Sequence, residues 1–128
     1  MATKISFVSL GCDKNLIDSE IMLGLIDEKG YIITPNDSEA DVIIINSCGF
    51  IDANQEAIDK VLEMADYKAN GNCKALIVTG CMAQRYKDEI FESLPEVDAV
   101  VGTGDFENIG AVIDRLLNGE KKVQLVTD

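Results

Sequence analysis

Short apolar runs alternate along the chain with longer segments whose apolar residues recur at helical spacing. The runs at residues 42–45 and 75–78 contain no polar side chain, which is typical of strands buried on both faces of a parallel sheet. Residues 16–29 carry apolar side chains every three or four positions, which predicts a helix. The stripe that indicates this helix consists of Ile17, Ile21, Leu25 and their neighbours.

The predicted elements follow the order β-α-β-β-α-β-α-β-α. The strands lie at residues 5–10, 31–34, 42–45, 75–78 and 99–101. The helices lie at residues 16–29, at 54–69, around Tyr86, Ile90 and Leu94, and along a stripe of Ile109, Val112, Ile113, Leu116 and Leu117. This alternation predicts a single α/β domain with a doubly wound, mostly parallel, flavodoxin-like sheet. We assign residues 1–119 to this domain. Residues 120–128 are polar and then apolar, and we assign them to a linker, with the first strand of a following unit as the alternative.

Charge narrows the range of partners. The chain has 23 acidic and 11 basic residues, and its formal net charge is −12. Such a surface disfavours phosphate backbones and anionic membranes, because binding to both depends on Lys and Arg. An acidic surface also suits a basic partner, or serves solubility alone. No apolar stretch is long enough for a signal-peptide core or a membrane span. We therefore expect a cytoplasmic protein that binds neither nucleic acid nor membranes through this domain.

Three of the four cysteines occupy equivalent places in the predicted fold. Cys12, Cys48 and Cys81 each follow a strand by two or three residues and precede a helix. Because the loops after parallel strands open on one edge of the sheet, the three thiols can meet there. Cys73 precedes its strand and is expected at the opposite edge. The chain has no histidine, so every histidine-containing metal site is excluded.

Small residues adjoin each of these cysteines. Gly11, Gly49 and Gly80 would let the backbone approach a bulky ligand. Helix N-termini lower thiol pKa values and stabilise anionic ligands. The pattern alone fits a shared iron–sulfur site or a zinc site, and each cysteine taken singly also fits a small buried core side chain.

Other α/β families fit the sequence poorly. A receiver domain would have an aspartate after the third strand, where Asn46, Ser47 and Cys48 stand. A flavodoxin would have a phosphate-binding loop rich in Ser and Thr after the first strand, and this chain has no such run there. Neither a GxGxxG nor a Walker motif occurs in the chain. Nucleotide-binding classes are therefore disfavoured.

Three blocks of sequence surround the equivalent cysteines. They are Ser9-Leu10-Gly11-Cys12-Asp13-Lys14-Asn15-Leu16-Ile17-Asp18-Ser19-Glu20, Asn46-Ser47-Cys48-Gly49-Phe50-Ile51, and Gly80-Cys81-Met82-Ala83-Gln84-Arg85-Tyr86. In this order and spacing they resemble the amino-terminal domain of the methylthiotransferases. The first block is most similar to the branch that modifies an aspartate of a small-subunit ribosomal protein. One departure is Asp13, which stands where many relatives of that branch have proline.

The resemblance implies a role for each of the three cysteines. Cys12, Cys48 and Cys81 would hold an auxiliary [4Fe-4S] cluster through three irons, leaving the fourth iron open for the sulfur that is transferred. Asn15 and Asn46 are candidates to orient the backbone or the sulfur contacts.

The resemblance also implies domains beyond this one. In the family, a second domain with a CxxxCxxC motif binds another [4Fe-4S] cluster and S-adenosylmethionine and generates a radical, and a further small domain aids substrate binding. Consecutive cysteines here are 36, 25 and 8 positions apart, so that motif is not within these residues. The chain is therefore expected to be the cluster-binding part of a longer enzyme and inactive alone. Residues 120–128 would lead toward the radical S-adenosylmethionine domain.

The expected activity of the full-length enzyme is methylthiolation of an aspartate in a small-subunit ribosomal protein. The acidic surface fits that basic partner better than it fits tRNA. Two alternatives remain open: the same domain of a tRNA-modifying methylthiotransferase, and a stand-alone zinc-binding or redox module.

Overall fold

The computed structural model contains a six-stranded sheet in which every neighbouring pair of strands is parallel. The described residues are 3–9, 14–36, 39–47, 51–70, 73–80, 92, 96–102, 108–120 and 123–125. The strands are β1 (Lys4–Ser9), β2 (Ile32–Ile33), β3 (Val42–Ser47), β4 (Ala75–Gly80), β5 (Ala99–Val101) and β6 (Val123–Leu125). Their order is β2-β1-β3-β4-β5-β6. This is a doubly wound, flavodoxin-like order, which confirms the predicted fold class.

Helices cover both faces of the sheet. Within the described residues they are α1 (Lys14–Glu28), α2 (Ile51–Asn70) and α3 (Ile109–Leu117). Helices α1 and α3 share one face, where Met22 and Ile113 belong to the same buried cluster as Ile44. Helix α2 covers the other face, where Met64 clusters with Ile45. None of the described helices is both long and apolar enough to span a membrane.

Strand β3 shows why the apolar runs become central strands. Successive side chains of a strand point to opposite faces. Val42 and Ile44 therefore join the cluster under α1 and α3, and Ile43 and Ile45 join the cluster under α2. All four side chains are fully buried. Burial of an aliphatic side chain of this size contributes about 1.5–3 kcal/mol, so each such strand ties both helical layers to the sheet.

The buried side of α1 lies one position away from the stripe that indicated this helix in the sequence. Met22 and Ile26 are fully buried, whereas Ile21 is 47% exposed and Leu25 is half-buried. Apolar residues are so frequent in this helix that two adjacent stripes satisfy helical spacing. Packing of α1 on the sheet and beside α3 selects the stripe of Met22 and Ile26.

The segment 120–128, predicted as a linker or as the first strand of a following unit, contains a strand of this sheet. Val123–Leu125 pair in parallel with β5, and the side chain of Val123 is buried. These residues pair with backbone groups of β5 that would otherwise form a free edge of the sheet. A local sequence pattern does not reveal that β5 has such an edge. The helix predicted for residues 86–94 lies outside the described residues, except that Glu92 is helical.

Two aspartates form hydrogen bonds at the amino edge of the sheet, and each of them directly precedes a strand. Oδ2 of Asp41 accepts a hydrogen bond from the backbone N–H of Lys4 at 3.0 Å, and Oδ2 of Asp98 accepts one from Leu76 at 3.0 Å. Asp98 also forms an ion pair with Lys68 of α2 at 2.5 Å, where the two side chains are only 5% and 19% exposed. These contacts join the starts of neighbouring strands to one another and to α2.

Candidate metal centre

The carboxyl ends of β1, β3 and β4 lie side by side at one edge of the sheet. Ser9 of β1 pairs with Asn46 of β3, and Ser47 of β3 pairs with Gly80 of β4. Neighbouring strands are about 4.8 Å apart, so the three ends fall within roughly 10 Å of one another. The chain reverses its direction of travel across the sheet between β1 and β3. Ligands of open α/β sheets bind at such a reversal, beyond the carboxyl ends of the strands.

Each of these three strand ends leads to a candidate cysteine. Cys48 directly follows the last residue of β3, Cys81 directly follows that of β4, and Cys12 follows β1 by three residues. The three cysteines lie outside the described residues, as do Gly11 and Gly49. The strands have the parallel, adjacent arrangement that a shared site requires. The ligand set itself stays a prediction.

Two helices begin close to the same edge. Helix α1 starts at Lys14, two residues after Cys12, and α2 starts at Ile51, three residues after Cys48. A helix N-terminus carries a partial positive charge, which favours anionic ligands nearby. Because α1 and α2 cover opposite faces of the sheet, their N-termini flank this edge from both sides.

A buried polar pair lies just inside the edge. Oδ1 of Asn46 accepts a hydrogen bond from Oγ1 of Thr79 at 3.2 Å, and both residues are fully buried. The sequence indicated Asn46 as an orienting residue but not Thr79. The spacing in the sequence could have identified Thr79, because it precedes Cys81 by two positions, as Asn46 precedes Cys48. Asn15, the other candidate, is in the first turn of α1, and its side chain is not among those that the structure describes.

Cys73 lies before β4, at the amino edge and roughly 20 Å along the strand from its carboxyl end. Its side chain is 6% exposed, and its Sγ donates a hydrogen bond to the carbonyl oxygen of Ala75 at 3.1 Å. Burial is the main influence on its thiol and raises the pKa. Metals bind the thiolate form, which this environment disfavours. No group of three Cys, Asp or Glu side chains in the described part of the chain could hold a metal ion.

The sequence is similar to known proteins over almost its whole length. The family described as uncharacterized protein family UPF0004 matches residues 4–102. The ribosomal protein uS12 methylthiotransferase RimO of Caldicellulosiruptor saccharolyticus is 59% identical over 98% of this chain and 28% of its own length. The proteins of that name from Lachnoclostridium phytofermentans and Trichlorobacter lovleyi are 57% and 48% identical, over 92% and 98% of this chain. They are covered over 27% and 28% of their lengths, so the chain spans less than a third of these curated relatives.

Proposed function

The chain belongs to the family described as UPF0004, and from this premise we propose that it is the domain that binds the auxiliary [4Fe-4S] cluster of a radical S-adenosylmethionine methylthiotransferase. The full-length enzyme would methylthiolate an aspartate of the small-subunit ribosomal protein uS12, the protein in the name of its relatives. The observation that carries this proposal is the set of three neighbouring parallel strands, each of which leads to a cysteine.

The donor set fits an iron–sulfur cluster. Cysteine thiolates are the usual ligands of such clusters, and Cys12, Cys48 and Cys81 would provide three of them. The N-termini of α1 and α2 would offset the negative charge of the thiolates. Three protein ligands leave one iron of the cluster open, and that iron would bind the sulfur species that is transferred. The three cysteines of this chain would bind the cluster, and the strands before them would set the spacing between the three sulfur atoms.

The remaining functions belong to the rest of the enzyme. We propose that the additional length of the relatives provides the second [4Fe-4S] cluster, the S-adenosylmethionine site and the substrate-binding domain. Strand β6 is parallel to the others, so its carboxyl end lies at the same edge as those of β1, β3 and β4. A domain that follows β6 would start at this edge of the sheet, two strands or about 10 Å from β4. Reducing conditions in the cytoplasm would keep the three thiols available.

Reconstitution under anaerobic conditions tests the proposed function. One sample of the chain is incubated with ferric iron, a thiol reductant and sulfide, and a second sample with zinc alone. Both are then desalted and analysed for iron, sulfide and zinc. A brown protein with equal amounts of iron and sulfide is the expected result. A chain that stays colourless and free of iron in the first sample, and retains zinc in the second, would support a zinc module and overturn the proposal.

We expect no cleavage of S-adenosylmethionine by these 128 residues alone, even after the cluster has been reconstituted. The reason is the absence of a CxxxCxxC motif, without which this route to a radical is closed. Chromatographic detection of 5′-deoxyadenosine after incubation with S-adenosylmethionine and a reductant checks this expectation. The full-length enzyme is the positive control, and product formation by the chain alone would contradict it.

We expect the chain to bind tRNA negligibly at physiological salt. Its net charge is −12, and binding to nucleic acid depends on Lys and Arg that neutralise phosphates. A filter-binding titration at several salt concentrations measures this, with an unrelated basic RNA-binding domain as the control. A micromolar, salt-sensitive complex would favour the tRNA-modifying branch instead.

A further inference from the structure

The face of the sheet under α1 and α3 changes character at its carboxyl edge. Ile44 of β3 and Ile77 of β4 are paired in register and fully buried within the apolar cluster of this face. Side chains on one face of a strand recur every second residue, so the next pair on the same face is Asn46 and Thr79. Both are fully buried, and they are joined by the 3.2 Å hydrogen bond between their side chains.

This pair occupies matching positions on the two strands. Asn46 is two residues before Cys48, and Thr79 is two residues before Cys81. The hydrogen bond therefore links β3 and β4 at the last position on this face of each strand before each cysteine. Ser47 and Gly80, also paired in register, come next and complete the two strands.

The physical chemistry of burial makes such a pair selective for one alignment. A buried hydroxyl or amide that loses a partner is destabilising, because water is not available to replace it. A slip of one residue between the strands would move one of the two side chains to the opposite face and separate them. An apolar pair at this position would tolerate small shifts. The hydrogen bond between Asn46 and Thr79 does not tolerate such shifts, since its strength depends on distance and direction.

We propose that Asn46 and Thr79 are positioning residues of the cluster site, which fix the separation of the strand ends from which Cys48 and Cys81 continue. This inference rests on the proposed function, because it gives the pair a role only if those cysteines are cluster ligands. The effect is on how firmly the cluster is held, and it does not require either side chain to touch iron or sulfur. Residues that orient metal ligands in this indirect way commonly change metal affinity by 10–100-fold when they are replaced.

Release of iron from the reconstituted chain tests the proposal. Thr79→Val keeps the size and branching of the side chain and removes the hydroxyl, whereas Thr79→Ser keeps the hydroxyl. We expect Thr79→Val to release iron to a chelator about tenfold faster than the unsubstituted chain or more, and Thr79→Ser to resemble the unsubstituted chain. The electron paramagnetic resonance spectrum of the reduced cluster should broaden in Thr79→Val and remain unchanged in Thr79→Ser.

Ile77→Val is the matched control for a general loss of stability. It alters the same face of the same strand one layer deeper, leaves the hydrogen bond intact, and should not change the release rate. Asn46→Leu removes the acceptor at similar size and is the second variant. The double variant should release iron no faster than the faster of the two single variants, since both changes remove the same bond.

The outcomes separate the two proposals. If the unsubstituted chain binds no cluster, the proposed function fails and this inference fails with it. If that chain binds the cluster, and Thr79→Val matches it in release rate and spectrum, only the positioning role is overturned. Equal acceleration in Thr79→Val and Ile77→Val would also overturn it, because the effect would then be a general loss of stability.

Discussion

Replacing Cys48 with alanine is expected to leave the chain unable to retain an iron–sulfur cluster after anaerobic reconstitution, while Cys73→Ala retains as much iron as the unsubstituted chain. A site with three protein ligands loses one of them in Cys48→Ala, and ligand loss removes binding free energy directly. Cys73 is buried at the amino edge, where it donates to the carbonyl of Ala75. Its replacement should lower stability and not iron content. Colorimetric assays of iron and sulfide per chain measure the difference.

The matching changes Cys12→Ala and Cys81→Ala should behave as Cys48→Ala does. Circular dichroism of each variant before reconstitution controls for folding. Loss of the cluster in Cys73→Ala with retention in Cys48→Ala would contradict the predicted ligand set. Retention in any one of the three edge variants would show that the corresponding cysteine is not a required ligand.

The second large effect is expected at Asp98. In Asp98→Ala, Lys68 of α2 loses its partner in a mostly buried ion pair, and the backbone N–H of Leu76 loses its acceptor. Removing one member of a buried ion pair costs about 3–5 kcal/mol. The lower end of that range applies here, because Nζ of Lys68 keeps a hydrogen bond to the carbonyl oxygen of Glu96 at 2.8 Å. We therefore expect the free energy of unfolding of the chain to fall by about that amount. Urea unfolding followed by circular dichroism measures it.

An exposed ion pair provides the control. Lys60 and Glu63 of α2 pair at 3.4 Å, and the Glu63 side chain is 61% exposed. Glu63→Ala should cost less than about 1 kcal/mol, since water screens such pairs. Asp98→Asn keeps an oxygen that can accept from Leu76, and should lie between the two. An Asp98→Ala variant as stable as Glu63→Ala would refute the role assigned to this aspartate.

The sequence determined the identity and character of most elements. The apolar runs at residues 42–45 and 75–78 favour central strands, because they offer no polar side chain for a solvated face. The stripe of α3 predicts most of its buried face, since Ile109, Val112, Ile113 and Leu116 are buried, whereas Leu117 is 36% exposed. The resemblance of the three cysteine blocks to the methylthiotransferases, and to their ribosomal-protein branch, is confirmed by the similarity to the uS12 methylthiotransferases. These features are local in the chain, so a sequence displays them directly.

Only the tertiary structure decided which elements meet. Two stripes of α1 satisfy helical spacing, and contact with the sheet selects Met22 over Ile21. Residues 123–125 become β6 because β5 offers them a free edge. The bonds of Asn46 with Thr79 and of Lys68 with Asp98 join residues about 30 positions apart. Such pairings depend on strand order and register, which the chain settles only when its distant parts pack together.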